Sequence, residues 1–402
     1  MVETAPFGGL LHYAVQLADA LAAEGEEVEA IVPVGNELSL REGAAARRAI
    51  LPAGPSQREA STPLGILVRR ARTAAWRVAV WRRILGAVRG GGYDVVILNG
   101  SVDLWLTALG AIALVRLSGR AGVTHVCHNV RPFNRWGGSG LFASSRLLTF
   151  LLRRLYPSFD LVFVHGERSR AEFEATWPPT RLAVIPHGDE NIFTDQAPPP
   201  AQEPRALFFG DWRRVKGLSV LMAAFDEVLA RHPEARLTIA GSPAYEEGEV
   251  DTVMRWAGER PERVETLAGY VPLEEVSSLF ARARLVVLPY LVGYQSGVLH
   301  LAMTMGRAVV ASDVGDLPAS VVPGETGLLV PAGEVAPLAE AIAELLFDAP
   351  RAQRMGAAAR ARAEGPSSWS RVAEEVMAAL RLALGEGGAR RSTTATDSVT
   401  GP

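Results

Sequence analysis

Short apolar runs built to be buried strands alternate with helix-length stretches along almost the whole chain, and the alternation runs through twice. Buried parallel strands need cover on both faces, and each parallel step needs a crossover of a dozen residues or more. The pattern therefore predicts an α/β fold of two Rossmann-like, doubly wound parallel-sheet domains facing a cleft. In the first half, Val28 to Pro33, Asp94 to Leu98, Val123 to Cys127, Leu161 to His165 and Leu182 to Pro186 read as strands. Arg205 to Phe209, Arg236 to Ala240, Leu285 to Pro289, Ala308 to Ala311 and Leu328 to Val330 repeat the scheme.

A chain of 402 residues is too long for one ordinary core, so two domains are expected. The first is assigned to residues 1–193. Residues 194–204 contain Pro198, Pro199 and Pro200 in a polar context and read as the linker. The second domain covers 205–366. An amphipathic helix, Trp369 to Leu384 within 367–385, is placed to pack back on the first domain. Residues 386–402 lack any apolar period and are expected to be disordered. The loop Pro6-Phe7-Gly8-Gly9 and the helix after it should follow a first strand, for which only Met1 to Thr4 remain. A start several codons upstream is the expectation.

Cys127 is the single cysteine, so an internal disulfide and a thiolate metal cage are excluded, and a reducing, cytoplasmic setting is expected. The chain opens without a basic n-region, apolar core and cleavage site, so no secretory signal is expected, and the most apolar stretch, Leu104 to Val115, is too short to span a bilayer. Residues 61 to 160 carry fourteen arginines against Asp94, Asp103 and Asp160. Such a half is suited to an anionic surface, either phospholipid or a phosphorylated substrate; nucleic acid is not expected, because no recognition motif is present. Leu147, Leu148, Phe150, Leu151 and Leu152, with Arg146, Arg153 and Arg154, read either as a face resting on anionic lipid or as a buried helix with solvated arginines.

Against forty arginines, Lys216 is the only lysine. It lies in Gly210-Asp211-Trp212-Arg213-Arg214-Val215-Lys216-Gly217, between a strand and a helix, where open α/β sheets bind ligands. Arginine offers a fork and lysine a point charge, a pairing suited to a diphosphate whose charge grows as a bond breaks. A solvated surface cluster is the alternative. The apolar spacing from Leu218 to Leu229 predicts a helix starting at the lysine.

Three other places carry weaker signals. Gly8 and Gly9 precede a helix, either as a tight turn or as a place where amides meet a phosphate. Tyr294-Gln295-Ser296-Gly297-Val298 also precedes a helix, with Ser296 either facing a donor or capping the helix. His128, His165 and His187 end predicted strands, and of these His128 is the candidate for contact with a sugar; His12, His125, His232 and His300 are assigned no role. The sequence shows no Asp-x-Asp, His-Glu-x-x-His, Gly-x-Ser-x-Gly or Walker lysine motif, so neither metal nor other cofactor is expected, nor hydrolase or NTPase chemistry.

Together these segments resemble the retaining glycosyltransferases of family 4, which have the GT-B fold, from Ala5 to about Leu384. The most specific stretches are Phe209-Gly210 to Lys216-Gly217, Gly269-Tyr270-Val271, Pro289-Tyr290, Gln295 to Val298, Gly306 to Ser312 and Gly324 to Val330. The resemblance implies that Arg213 and Lys216 grip the diphosphate of a UDP- or GDP-linked sugar. It places Gly210 in that loop, the amides around Ser296 and Gly297 on the phosphates or sugar, Gly9 beneath the diphosphate, the backbone near Val271 at the base, and His128 at the donor sugar. It further implies metal-free transfer with retention to a glycan or lipid-linked acceptor, in polysaccharide or glycolipid synthesis, at the cytoplasmic side and peripherally on the membrane. Two glutamates common in the family are replaced by Gly293 and Leu301. The second of them normally holds the ribose. A non-catalytic nucleotide-sugar-binding partner is the second reading, and an epimerase the third.

Overall fold

The computed structural model describes residues 1–54, 63–100, 102, 104–132, 145–193, 203–243 and 249–385. All but the last two residues of the expected linker, 194–204, lie outside the described residues, as does the expected tail, 386–402.

The strands are β1 (Glu29–Pro33), β2 (Ala46–Leu51), β3 (Val95–Leu98), β4 (Gly122–Val126), β5 (Leu161–Val164), β6 (Leu182–Val184), β7 (Arg205–Phe209), β8 (Arg236–Gly241), β9 (Val264–Ala268), β10 (Leu285–Leu288), β11 (Ala308–Ser312) and β12 (Gly327–Val330). The helices are α1 (Gly9–Ala23), α2 (Pro63–Gly91), α3 (Trp105–Leu117), α4 (Arg146–Leu155), α5 (Glu167–Thr176), α6 (Leu218–Arg231), α7 (Glu249–Gly258), α8 (Leu273–Arg282), α9 (Gly297–Thr304), α10 (Leu317–Ser320), α11 (Val335–Phe347), α12 (Ala349–Glu364) and α13 (Trp369–Leu384).

β7 to β12 form one parallel sheet in the order β9-β8-β7-β10-β11-β12. In the first half, β1 pairs with β2, and β3 to β6 pair in succession, all in parallel. Val2 joins these two groups by bridging Ile31 and Leu98. Its amide donates to the Ile97 carbonyl at 2.9 Å, and its carbonyl accepts from Asn99 at 3.0 Å. Met1 to Glu3 thus stand where a first strand was expected. Both sheets reverse their winding beside their first strand, between Val2 and β3 and between β7 and β10. Ligands of open α/β sheets sit at the carboxyl ends of strands at such a reversal.

The central strands are apolar on both faces: every residue of β10 and β11 is buried. β2 and β9, which the alternation of apolar runs does not single out, are edge strands. Only Leu51 of β2 and Val264 of β9 are buried, so neither presents a continuous apolar run. In the second domain Phe208, Leu237, Ile239 and Val287 pack with Leu221, Phe225 and Val228 of α6 and Ile342 of α11. α13 lies on the first domain, where Trp369, Val372, Val376 and Leu380 share a core with Tyr13, Leu17 and Phe163.

α4 falls mainly to the second of its two readings, a buried helix with exposed arginines. Leu148, Leu151, Leu152 and Leu155 are core residues, while Leu147 and Phe150 are 56% and 54% exposed. Helical spacing splits the apolar run between two faces, so most of it is anchored in the protein and cannot rest on lipid.

Candidate active site

The loop after β7 is pinned before it reaches the lysine. Trp212 is fully buried, and its amide donates to the Ser242 carbonyl at 2.9 Å, tying the loop to the end of β8. Arg214–Lys216 then make one 3-10 turn, and Gly217 follows with φ 70°. The helix does not start at the lysine, as the apolar spacing suggests, but at Leu218. The cause is Gly217, whose backbone presses on the neighbouring loop: a Cβ there would lie 1.9 Å from the Pro289 carbonyl oxygen. Only glycine combines that approach with left-handed backbone. The Leu291 amide donates to the Val215 carbonyl at 2.9 Å and stitches the loops after β7 and β10 together.

This stitching brings Lys216 over Tyr290, with Nζ 3.8 Å from the ring centroid. Arg213 pairs with Asp211 at 2.5 Å, and its Nε is buried without a hydrogen bond. Burial pushes the Asp211 carboxyl upward, yet the charges of Arg213 and Lys216 outweigh it and hold the group below its ordinary range. One carboxylate thus faces two cations, leaving surplus positive charge where β7 ends. That surplus suits a polyanion.

Opposite this cluster, α9 begins. Ser296 is its N-cap: the Oγ accepts from the Leu299 amide at 3.2 Å and lies 3.1 Å from the Tyr290 hydroxyl. The hydroxyl is therefore engaged in the helix start. Gln295 accepts from the Ser296 amide at 2.9 Å. The amides of Gly297 and Val298 have no protein acceptor among the described residues, and they carry the positive end of the helix. Val298 reaches toward Gly210, with Cγ2 3.9 Å from where a Cβ would stand.

On the first domain, space is open around Gly8 and Gly9. The Gly8 amide donates to Glu37, which also lies 2.6 Å from the His12 ring and accepts from the Tyr270 hydroxyl of the second domain. Phe7 and Tyr270 add an edge-on ring contact at 5.6 Å. The glycine loop is thereby brought to the loop after β9, beside Val271, which packs on the second core. Burial raises the Glu37 pKa, but bonds from His12, Tyr270 and Gly8 bring it below its ordinary value.

His128 belongs to a buried chain of polar groups. Asn99 donates through Nδ2 to Glu3 at 2.6 Å and to the Leu10 carbonyl at 2.9 Å, so its oxygen accepts from His128 Nε2 at 2.9 Å. That fixes the tautomer, and His128 Nδ1 then accepts from His165 Nε2 at 3.3 Å. Both ring nitrogens have protein partners, and contact with a sugar requires exchanging one of them. His187 stacks on His300 at 4.5 Å, and Tyr13 packs edge-on against His128, His165 and His187. Burial lowers the pKa of His128 and His300 far below the usual histidine range, and the other histidines add to the effect. Their neutral rings form an apolar-like wedge between the domains.

The sequence assigns no role to His300, and it does not single out Asn99, Glu190 or Asp316, of which Asp316 accepts from the Arg168 and Ser169 amides at the start of α5. Asn99 meets Glu3, His300 meets His187, Glu190 meets Gln16 and Asp316 meets Arg168, each from a distant part of the chain, so no local pattern marks them. A 310 Å³ pocket against α1, lined by Val15, Asp19 and Trp369 among others, shares no residue with the loops after β7 and β10.

Comparison with known proteins places these loops in a family. A profile described as glycosyl transferases group 1 matches residues 203–348, and one described as glycosyltransferase family 4 matches residues 7–188. The chain is 34% identical to a D-inositol 3-phosphate glycosyltransferase of Corynebacterium diphtheriae over 306 residues, 71% of this chain and 69% of that protein. Three further curated relatives are matched over 42% to 57% of their own length. Among solved structures, a sucrose-phosphate synthase of Thermosynechococcus elongatus superposes with a TM-score of 0.73 at 22% identity, covering 95% of each chain. Anabaena HepE in complex with UDP-glucose superposes at 0.68 and 17% identity, covering 95% of this chain and 98% of that one. From the matching loops, the paired double-wound sheets and the relative at 34% identity, the chain belongs to the group 1 glycosyl transferases and is a glycosyltransferase of the GT-B fold.

Proposed function

We propose that this glycosyltransferase moves a sugar from a UDP- or GDP-linked donor to a glycan or lipid-linked acceptor, with retention and without a divalent metal, as a family 4 enzyme of polysaccharide or glycolipid synthesis. The observation that carries the reading is the cation surplus of Arg213 and Lys216 at the winding reversal of the second sheet, facing the open amides of α9. Charge that develops on a leaving diphosphate is stabilised best by such preorganised donors. HepE, of similar fold, holds UDP-glucose, which supports a nucleotide-linked donor. His128 would lie at the donor sugar, Gly9 and Gly8 beneath the diphosphate, and Val271 near the base. The leaving diphosphate would help deprotonate the acceptor.

A non-catalytic nucleotide-sugar-binding partner is the competing reading, favoured by the missing carboxylates at Gly293 and Leu301. Transfer and donor hydrolysis with a panel of UDP-, GDP- and ADP-sugars, in EDTA, decide between them. Donor-dependent product supports the enzyme reading, and binding without turnover on any acceptor tried would sink it.

No helix among the described residues is long and apolar enough to cross a membrane. We assign the enzyme to the cytoplasmic membrane face on a different ground. Leu64 and Leu67 of α2, Trp105 of α3, and Leu147 and Phe150 of α4 are exposed on an arginine-rich half. Apolar anchors among cations suit anionic lipid. Co-sedimentation should be stronger with anionic than with neutral vesicles, and equal binding to both contradicts it.

A further inference from the structure

A carboxyl without an assigned role stands beside the donor loop. Glu190 is 2% exposed and lies between β6 and the linker. Its amide donates to Thr304 Oγ1 at 2.9 Å, at the far end of α9. Its Oε2 accepts from Gln16 Nε2 of α1 at 3.1 Å. The Oε1 points to the other end of α9, where a Cβ on Gly297 would stand 3.2 Å away. That oxygen makes no hydrogen bond within the described residues. Positions i, i+4 and i+7 share a helix face, so Gly297, Leu301 and Thr304 form one row. The Glu190 side chain therefore runs along the row on which Leu301 has replaced a family glutamate.

We propose that Glu190 reaches this face of α9 from the interdomain segment and takes up the ribose hydroxyls of the donor, replacing the carboxylate missing at Leu301. The proposal rests on the reading of the chain as a nucleotide-sugar enzyme. It accounts for three otherwise separate facts: a nearly fully buried acid with no ion-pair partner among the described residues, an oxygen left without a donor among them, and Gly297 leaving room for that oxygen at the helix start. Burial pushes the Glu190 pKa up to about 8, Gln16 opposes the rise, and Asp189 adds to it. A vicinal diol would supply the hydrogen bonds the oxygen lacks, and Gln16 would hold the carboxyl in register.

The test is calorimetric binding of UDP, GDP and ADP, and of their 2′-deoxy and 3′-deoxy counterparts, to the full chain. Wild type should bind the preferred ribonucleotide about tenfold or more tightly than its deoxy forms. Glu190→Ala should lose about tenfold or more in affinity for the ribonucleotide, with the ribose-to-deoxyribose ratio falling to near one. Lys216→Ala should weaken ribo and deoxy forms in parallel. Glu190→Gln keeps the volume and the contact with Gln16, and it must also lower the ratio. It serves as the test if the alanine variant does not fold by circular dichroism. Tight binding with an unchanged ratio in a folded variant, or no discrimination by wild type, overturns the role of Glu190 alone. Failure of wild type to bind any of the nucleotides overturns the donor reading as well.

Discussion

Lys216 Nζ stands 3.8 Å from the centroid of the Tyr290 ring, and the Tyr290 hydroxyl lies 3.1 Å from Ser296 Oγ. One buried aromatic thus links the cation after β7 to the helix start after β10. The ring face attracts the ammonium and limits the wandering of a side chain with four rotatable bonds.

Replacement of Tyr290 should separate the ring from the hydroxyl. Tyr290→Phe keeps the face beneath Lys216 and should retain kcat/KM within about threefold of wild type. Tyr290→Leu removes the face and should cost about 1–2 kcal/mol, or roughly 5- to 30-fold in kcat/KM. Steady-state kinetics with the folded variants check this, and equal losses for both would assign the effect to the hydroxyl instead.

The stability of the protein should fall on both sides of pH 6.5, for opposite reasons. Burial lowers His165 to about 3, and His125 and His187 to about 4. Below the ordinary value of 6.5 the unfolded chain therefore binds more protons than the folded one, and stability is lost as pH falls toward 4. Glu190 works the other way: raised from 4.5 to about 8, it favours the fold fully below 4.5 and loses that contribution as pH rises through 8. Above 6.5 these histidines are neutral in both states. Urea unfolding should then show wild type losing on the order of 2 kcal/mol relative to Glu190→Gln between pH 6.5 and 8. Parallel profiles for the two proteins would contradict the placement of Glu190.

Much of this architecture was legible because buried parallel strands announce themselves as apolar runs, and β10 and β11 do so without interruption. The edge strands β2 and β9 were not, since one exposed flank leaves them polar. The loop Gly210 to Gly217 was readable from its place between strand and helix, but the single 3-10 turn was not. That turn is set by the Pro289 carbonyl, 72 residues beyond Gly217. The role of Ser296 as a cap was one of two local readings, and the Leu299 amide identifies it. His300 and Glu190 acquire their surroundings only when the domains meet across α9. Local sequence carries no signal for such a meeting beyond two adjacent acids, Asp189 and Glu190, at the end of the segment after β6.

The central claim is that Lys216 stabilises a leaving diphosphate, and the most direct measurement is single-turnover transfer by Lys216→Ala at saturating donor. Loss of one preorganised cation should lower the rate about 10²- to 10³-fold while the circular dichroism spectrum stays that of wild type. A folded Lys216→Ala enzyme whose rate stays within about threefold of wild type would contradict the account.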